Sequence, residues 1–191
     1  LHGYDIDWSL PRKDSKVGRG HRGIDVHCDP ELSYTEAARR RDLTINALMW
    51  DPLANELIDP FDGLDDLRSG TLRAVDKELF GDDPLRGLRA VRMAAVFGFL
   101  PDAELLGIMA AQELSELSKE RFWGEWEKIA LKSRLPSLAF LCLEDSGLVR
   151  FFPELDALRD VQQEAEWHPE GDVYVHSAMV ADAAVPLRNG K

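Results

Sequence analysis

The first part of the chain mixes two hydrophobic periods. Residues Tyr4–Leu10 alternate apolar and polar side chains and predict one strand, and Gly23–His27 predict a second. Ser33-Tyr-Thr-Glu36 has the spacing of a capping box, so a helix is expected from Ala37 to about Ala47. Leu48–Asp51 and Glu56–Asp59 flank the turn Asp51-Pro-Leu-Ala-Asn55 and predict a strand, turn and strand. A short helix over Asp62–Ser69 and a strand over Thr71–Val75 complete this part. From Asp76 onward only the helical period remains. It covers Asp83–Phe97, Asp102–Leu117, Lys119–Lys132, Pro136 to about Asp145, Pro153–Glu166 and Asp172 to about Val185. The apolar stripes of these helices, with Leu105, Ile108 and Met109, Phe122, Trp126 and Ile129, and Leu138, Leu141 and Cys142, are assigned to the core. The change of period at Asp76 predicts an α+β part followed by an all-helical part.

Composition narrows the function classes. At 191 residues, 45% of them hydrophobic and 30% charged, the chain is long enough to bury a core and is globular in character. A formal net charge of -12 excludes a protein that coats nucleic acid through a broad cationic surface; any such contact has to come from a local basic patch. Arg12, Lys13, Lys16, Arg19 and Arg22, around Gly18 and Gly20, form one candidate: a mobile basic loop that could meet phosphates, or an ordinary solvated hairpin loop. Cys28 and Cys142 are far apart, and no apolar run is of membrane-spanning length. A cytoplasmic compartment, two structural thiols and no membrane partner are expected. The chain opens at Leu1 without an initiator Met, so a preceding piece is expected as well.

The most informative stretch is Asp82–Arg92. Asp82 or Asp83 can cap a helix, Pro84 fits its first turn, and Gly98 ends it. At roughly 100° per residue, Asp83 and Arg86 lie about 60° apart on one surface, with Arg89 a turn later. An acceptor beside a donor fork matches the pairing edge of cytosine or adenine, each of which offers an amine next to a ring-nitrogen acceptor. Uracil and guanine offer the reverse. A helix-surface ion pair is the other reading of the same residues. Asp42 and Asn46 stand four apart on the expected helix after Ser33 and share a face, beside Arg39, Arg40 and Arg41.

Arg40-Arg-Asp-Leu-Thr-Ile-Asn-Ala47, Ile58-Asp-Pro-Phe-Asp-Gly63, Leu72-Arg-Ala-Val75 and Phe80-Gly-Asp-Asp-Pro-Leu-Arg-Gly-Leu-Arg-Ala-Val-Arg92 together resemble, in order and spacing, the bacterial-type (class II) tRNA nucleotidyltransferases, the CCA-adding enzymes. Ser9-Leu-Pro-Arg12 and Trp167-His-Pro-Glu-Gly-Asp172 with His176 are similar to that family too. The resemblance implies an α+β polymerase-beta-like head followed by a helical neck and body. Residues 1–75 are then the C-terminal part of an incomplete head, 76–166 the RNA-gripping helical part, and 167–191 the start of an HD-like domain. It implies addition of C, C and A to the 3′ end of tRNA from CTP and ATP with Mg2+. Asp83 and Arg86 would read the base, Asp42 the sugar, and Arg41, Asn46, Arg89 and Arg92 would help hold the nucleotide. Two steps of three residues turn Arg92 by roughly 120° from Arg86, which also suits a helix brace.

Three departures from the family pattern bear on this. Asp82 stands where the family has Glu, the Gly-Gly phosphate motif is absent, and so is the magnesium-binding Asp-x-Asp expected upstream of Arg40. Asp5 and Asp7 share a strand face, but their place beside Ser9–Arg12 leaves Asp7 at most a third carboxylate. His176 resembles the first ligand of an HD-type metal site, whose later His-Asp pair does not occur in this chain. The competing readings are a bacterial poly(A) polymerase, a CC- or A-adding subtype, a non-catalytic nucleotide- or tRNA-binding fragment, and a purely structural helical domain.

Overall fold

The structure is a computed structural model that describes residues 9–16, 24–115 and 117–189. Most of the strand expected at Tyr4–Leu10, with Asp5 and Asp7, lies outside the described residues, as does the 17–23 part of the basic loop.

β1 (Arg12–Lys16) and β2 (Ile24–Cys28) form an antiparallel ladder with Arg12 opposite Cys28 and Lys16 opposite Ile24. The stretch expected as a basic loop therefore begins as a strand. Its polar composition hid this, because a ladder is made by backbone groups that every residue carries.

α1 (Tyr34–Arg39) starts at the expected capping box, with the Ser33 hydroxyl accepting from the Glu36 N–H and the Glu36 carboxylate accepting from the Ser33 N–H. It stops at Arg39, eight residues short of the expected end. The Asp42 carboxylate takes the Leu43 N–H at 2.9 Å, and the Thr44 N–H goes to the Arg73 carbonyl at 3.0 Å. These donors leave the helical ladder for a side chain and a neighbouring segment, the competition Asp offers wherever it can fold onto nearby backbone. Leu43 bridges to Ala74, and Thr44–Asn46 forms a single 3-10 turn.

β3 (Met49–Asp51) and β4 (Glu56–Ile58) form the expected hairpin, with Asn55 in the left-handed region. α2 (Gly63–Ser69) is capped by the Asp59 carboxylate, which accepts from the Gly63 and Leu64 N–H groups at 2.8 and 2.9 Å. β5 (Thr71–Leu72) is shorter than expected, because Arg73 to Val75 pair with the Asp42–Thr44 segment instead.

Beyond Asp76 the regular elements are helices, apart from one short strand. α3 (Lys77–Gly81) is an unexpected short helix capped by Asp76, and α4 (Leu85–Phe97) ends at Gly98 with φ 79. β6 (Leu100–Pro101) then pairs parallel with β5, a two-residue strand too short to carry a periodic signal. α5 (Ala103–Ala110) ends seven residues before expected because Arg150 donates to the carbonyls of Ala110 and Gln112 at 3.0 and 2.8 Å. α6 (Lys119–Lys132) and α7 (Ser137–Asp145) match expectation. α8 (Pro153–Asp156) is one turn long, with Asp160 left-handed shortly after it, and residues 161–172 fold back as a loop onto the start of α9 (Val173–Ala183).

α4 lies at the centre and packs against α6 and α7. One core runs from Leu43 and Leu72 through Phe80, Leu88 and Val91 to Leu105, Met109, Leu143 and Leu148. Leu141, assigned to the core from its spacing, is exposed. This core fixes the start of α4 against the chain that follows α1. Among the described residues no helix is long and apolar enough to cross a membrane.

Candidate nucleotide-binding cleft

The end of α1, the 3-10 turn and the start of α4 converge on an open cleft of about 600 Å³. It is lined by Arg40, Arg41, Asp42, Asn46, Asp83, Leu85, Arg86, Arg89 and Arg121. Five arginines face two aspartates, so a local cationic basin sits in a chain of net charge -12. A basin of this kind draws a phosphate-bearing ligand.

Each polar group is held by a named partner. Asp42 is buried, and its Oδ1 accepts from the Asn46 amide at 3.0 Å as well as from the Leu43 N–H. Its Oδ2 accepts from Arg89 Nε at 2.5 Å. Burial pushes the Asp42 carboxyl up, but the Arg89 charge and the hydrogen bonds from Asn46, Arg89 and Leu43 outweigh it and hold the group below the usual carboxylate value. Burial likewise works against the Arg89 charge, and Asp42 more than restores it. The pairing of Asp42 with Asn46 expected from a helical spacing thus exists, but across the 3-10 turn and not on a helix. Arg41 Nη1 donates to the Asn46 carbonyl at 2.6 Å, tying the guanidinium to the same turn.

Asp83 sits before α4. Its Oδ1 accepts from the Leu85 N–H at 3.1 Å and its Oδ2 from Arg121 Nη2 at 2.8 Å. Arg86, on the first turn of α4, donates from Nη1 to the Leu79 carbonyl at 2.8 Å and from Nη2 to the Arg40 carbonyl at 2.7 Å. The guanidinium is clamped between the ends of α3 and α1 by groups that cannot rotate away. Of its five N–H donors, these bonds use two.

The cleft brings together Arg41, Asp42, Asn46, Asp83, Arg86 and Arg89, six of the seven residues expected to hold a nucleotide. Arg92 is not among the residues that line the cleft. It donates from Nε to Glu125 at 2.6 Å, and Glu125 also accepts from Lys128 at 2.8 Å, so Arg92 braces α4 against α6. The turn of the helix away from Arg86 is the physical reason. Arg39, expected on a plain helix surface, pairs with Asp76 at 2.7 Å. Asp7 lies outside the described residues.

Sequence reasoning missed Arg121 and left Arg40 without a role. Arg40 was visible only as part of the Arg40–Asp42 run. Arg121 lies 38 residues from Asp83 on an ordinary amphipathic helix, and nothing local marks it. His176 is far from the cleft in sequence and beside His168 and Glu170 instead.

Residues 9–73 match the Poly A polymerase head domain. The chain is 41% identical over 189 residues to the Multifunctional CCA protein of Psychromonas ingrahamii, covering 95% of this chain and 46% of that protein. The chain therefore spans about half the length of the curated relatives it matches. Among solved structures, it is similar to the Bacillus stearothermophilus CCA-adding enzyme in complex with CTP (TM-score 0.58, 30% identity, 64% of this chain and 31% of that one). The Thermotoga maritima CCA-adding enzyme complexed with tRNA gives a TM-score of 0.56 at 27% identity, over 74% of this chain and 38% of that one.

Proposed function

We propose, from the match of residues 9–73 to the Poly A polymerase head domain and the 41% identity to a Multifunctional CCA protein, that the chain belongs to a nucleotidyltransferase adding C, C and A to the 3′ end of tRNA from CTP and ATP. Residues 1–75 would be head, 76–166 the helical neck and body that grip the acceptor end by shape and backbone, and 167–191 the start of an HD-like unit. The protein would work in the cytoplasm, where its substrates are.

The observation that carries the reading is the immobilised pair Asp83 and Arg86 in the lining of the arginine-rich cleft. A base placed there meets a carboxylate that accepts from its exocyclic amine and a guanidinium that donates to its ring nitrogen. Because both are clamped before the ligand arrives, selectivity costs little reorganisation. Asp42 and Asn46 accept from and donate to the ribose, while Arg40, Arg41 and Arg89 balance the phosphates.

The magnesium implied by the family does not fit this cleft. Asp42 is engaged by Arg89 and Asp83 by Arg121, and five arginines repel a bare cation.

Binding of CTP, ATP, UTP and GTP to the wild type, Asp83→Ala and Arg86→Ala tests the reading. CTP and ATP are expected to bind about 10- to 100-fold tighter than UTP and GTP, the worth of one good base contact of about 1–3 kcal/mol, and both variants are expected to lose that preference. Equal binding of all four by the wild type would overturn it. A preference for ATP alone would favour the poly(A) polymerase reading, against which the net charge of -12 already stands.

A further inference from the structure

Arg121 is a cleft residue that nothing local in the sequence marks, and its place follows from how α6 begins. The Ser118 hydroxyl caps that helix by accepting from the Arg121 N–H at 3.4 Å, which sets the guanidinium on the first turn. The next residue, Phe122, packs on Phe152 with ring centroids 5.0 Å apart, and Trp126 meets the same ring at 5.1 Å. One turn beyond Arg121, the buried Glu125 accepts from the α4 residue Arg92 at 2.6 Å. Cap, aromatic contacts and ion pair fix α6 against α4, so the guanidinium enters the cleft from a wall that is already rigid.

Its partner there is Asp83. Arg121 Nη2 donates to Asp83 Oδ2 at 2.8 Å, and the two side chains are only 27% and 19% exposed. The other carboxylate oxygen accepts from the Leu85 N–H at 3.1 Å. Asp83 is thus held at both oxygens, one by the helix it precedes and one by a different helix. With the Leu85 bond alone the carboxylate can pivot about that bond, and a second bond from a fixed direction removes the freedom.

We infer that Arg121 is a positioning residue that sets which bases the cleft accepts, a role that rests on the reading of the base by Asp83 and Arg86. The exocyclic group and the ring nitrogen are neighbours on the pairing edge of a base. A carboxylate opposite the exocyclic group accepts from the amine of cytosine or adenine and repels the carbonyl of uracil or guanine. Moved one place along the edge, the same carboxylate accepts the ring N–H of uracil or guanine instead. The chemistry of a carboxylate therefore does not discriminate by itself. Its position does, and the bond from Arg121 fixes that position. Arg121 acts on the base through Asp83.

The test is the affinity of CTP, ATP, UTP and GTP for the wild-type chain and for Arg121→Ala, Arg121→Lys and Lys128→Ala. Arg121→Ala is expected to bring the roughly 10- to 100-fold preference for CTP and ATP down to about threefold or less. Arg121→Lys keeps the charge and still reaches the carboxylate through one donor, so overall affinity should hold and part of the preference return. Lys128→Ala loosens the Glu125 brace elsewhere on α6 and should keep the wild-type preference. A uniform loss of affinity in Arg121→Ala with the preference intact would show that Arg121 supplies charge alone. That result overturns the inference and leaves Asp83 and Arg86 as the base readers. A loss of preference in Lys128→Ala as large as in Arg121→Ala overturns it too, since any loosening of α6 would then suffice. A wild type without preference would overturn the base reading itself, and this inference with it. Should Arg121→Ala unfold, judged by its helical signal, Arg121→Lys decides: a reduced preference supports the inference and a wild-type preference overturns it.

Discussion

At the scale of single residues, the cleft is built from charges whose partners are chosen for direction as much as for attraction. Asp42 is buried and coordinated by Arg89, Asn46 and its own neighbour's N–H, so the carboxylate is ionised and immobile. Its carboxyl sits below the usual range in the folded chain, which ties stability to pH. The unfolded chain takes up the proton first. The contribution of Asp42 is therefore fully present above the ordinary carboxylate value of about 4 and is lost as pH falls through the lower folded value. Glu125, held down by Lys128 and Arg92 against the upward push of burial, adds a loss of the same sign. Urea midpoints measured down a pH series should fall in that acid window. Asp42→Asn should cost about 1–3 kcal/mol at neutral pH, less than a fully buried pair because Arg89 keeps some solvent, and should flatten the acid loss. An unchanged pH profile in this variant would remove Asp42 from the account.

At the scale of elements, two short pieces without strong periodicity decide where the cleft residues stand. The 3-10 turn Thr44–Asn46 is pressed against the start of α2, where a Cβ on Gly63 would lie 2.3 Å from the Thr44 carbonyl oxygen. Backbone cannot move aside as a flexible side chain can. Gly63→Ala should therefore cost about 1–3 kcal/mol in urea unfolding, and the shifted turn should weaken nucleotide binding through Asn46. Wild-type stability in this variant would mean that α2 tolerates a displacement the packing does not suggest. The buried Asp66 reinforces the same junction, accepting from the Thr44 hydroxyl at 2.5 Å and from Arg73 Nε at 3.1 Å. α3 plays the matching part for the other wall, since its end supplies the Leu79 carbonyl that orients Arg86.

At the scale of the whole molecule, a single core crosses the point near Asp76 where the hydrophobic period changes, and the parallel pair β5 and β6 ties the two sides together. Cys142 reports on that core. It is buried, which pushes its thiol up to about 12, while Cys28 is exposed. A thiol reagent should label Cys28 at once and Cys142 only as fast as the chain opens globally, in parallel with loss of helical signal in denaturant. Early labelling of Cys142 would show that the helical part opens separately. Much of this architecture was legible in the chain. Elements marked by local chemistry stand where expected: the capping box at Ser33 and Glu36, the hairpin around Asp51–Asn55, the helix between Pro84 and Gly98, and α6 and α7. Six of the cleft residues were legible too, because Asp83, Arg86 and Arg89 share a helix face and Arg41, Asp42 and Asn46 share a short segment. Tertiary structure alone decided the rest. It ended α1 at Arg39 and gave the Leu43 and Thr44 donors to Asp42 and Arg73, and turned Arg92 onto Glu125. It brought Arg121 across 38 residues to Asp83 and folded His168 and Glu170 over His176. Caps, turns and helix faces are set by neighbours a few positions apart, whereas a buried ion pair depends on segments that meet only once the core has closed.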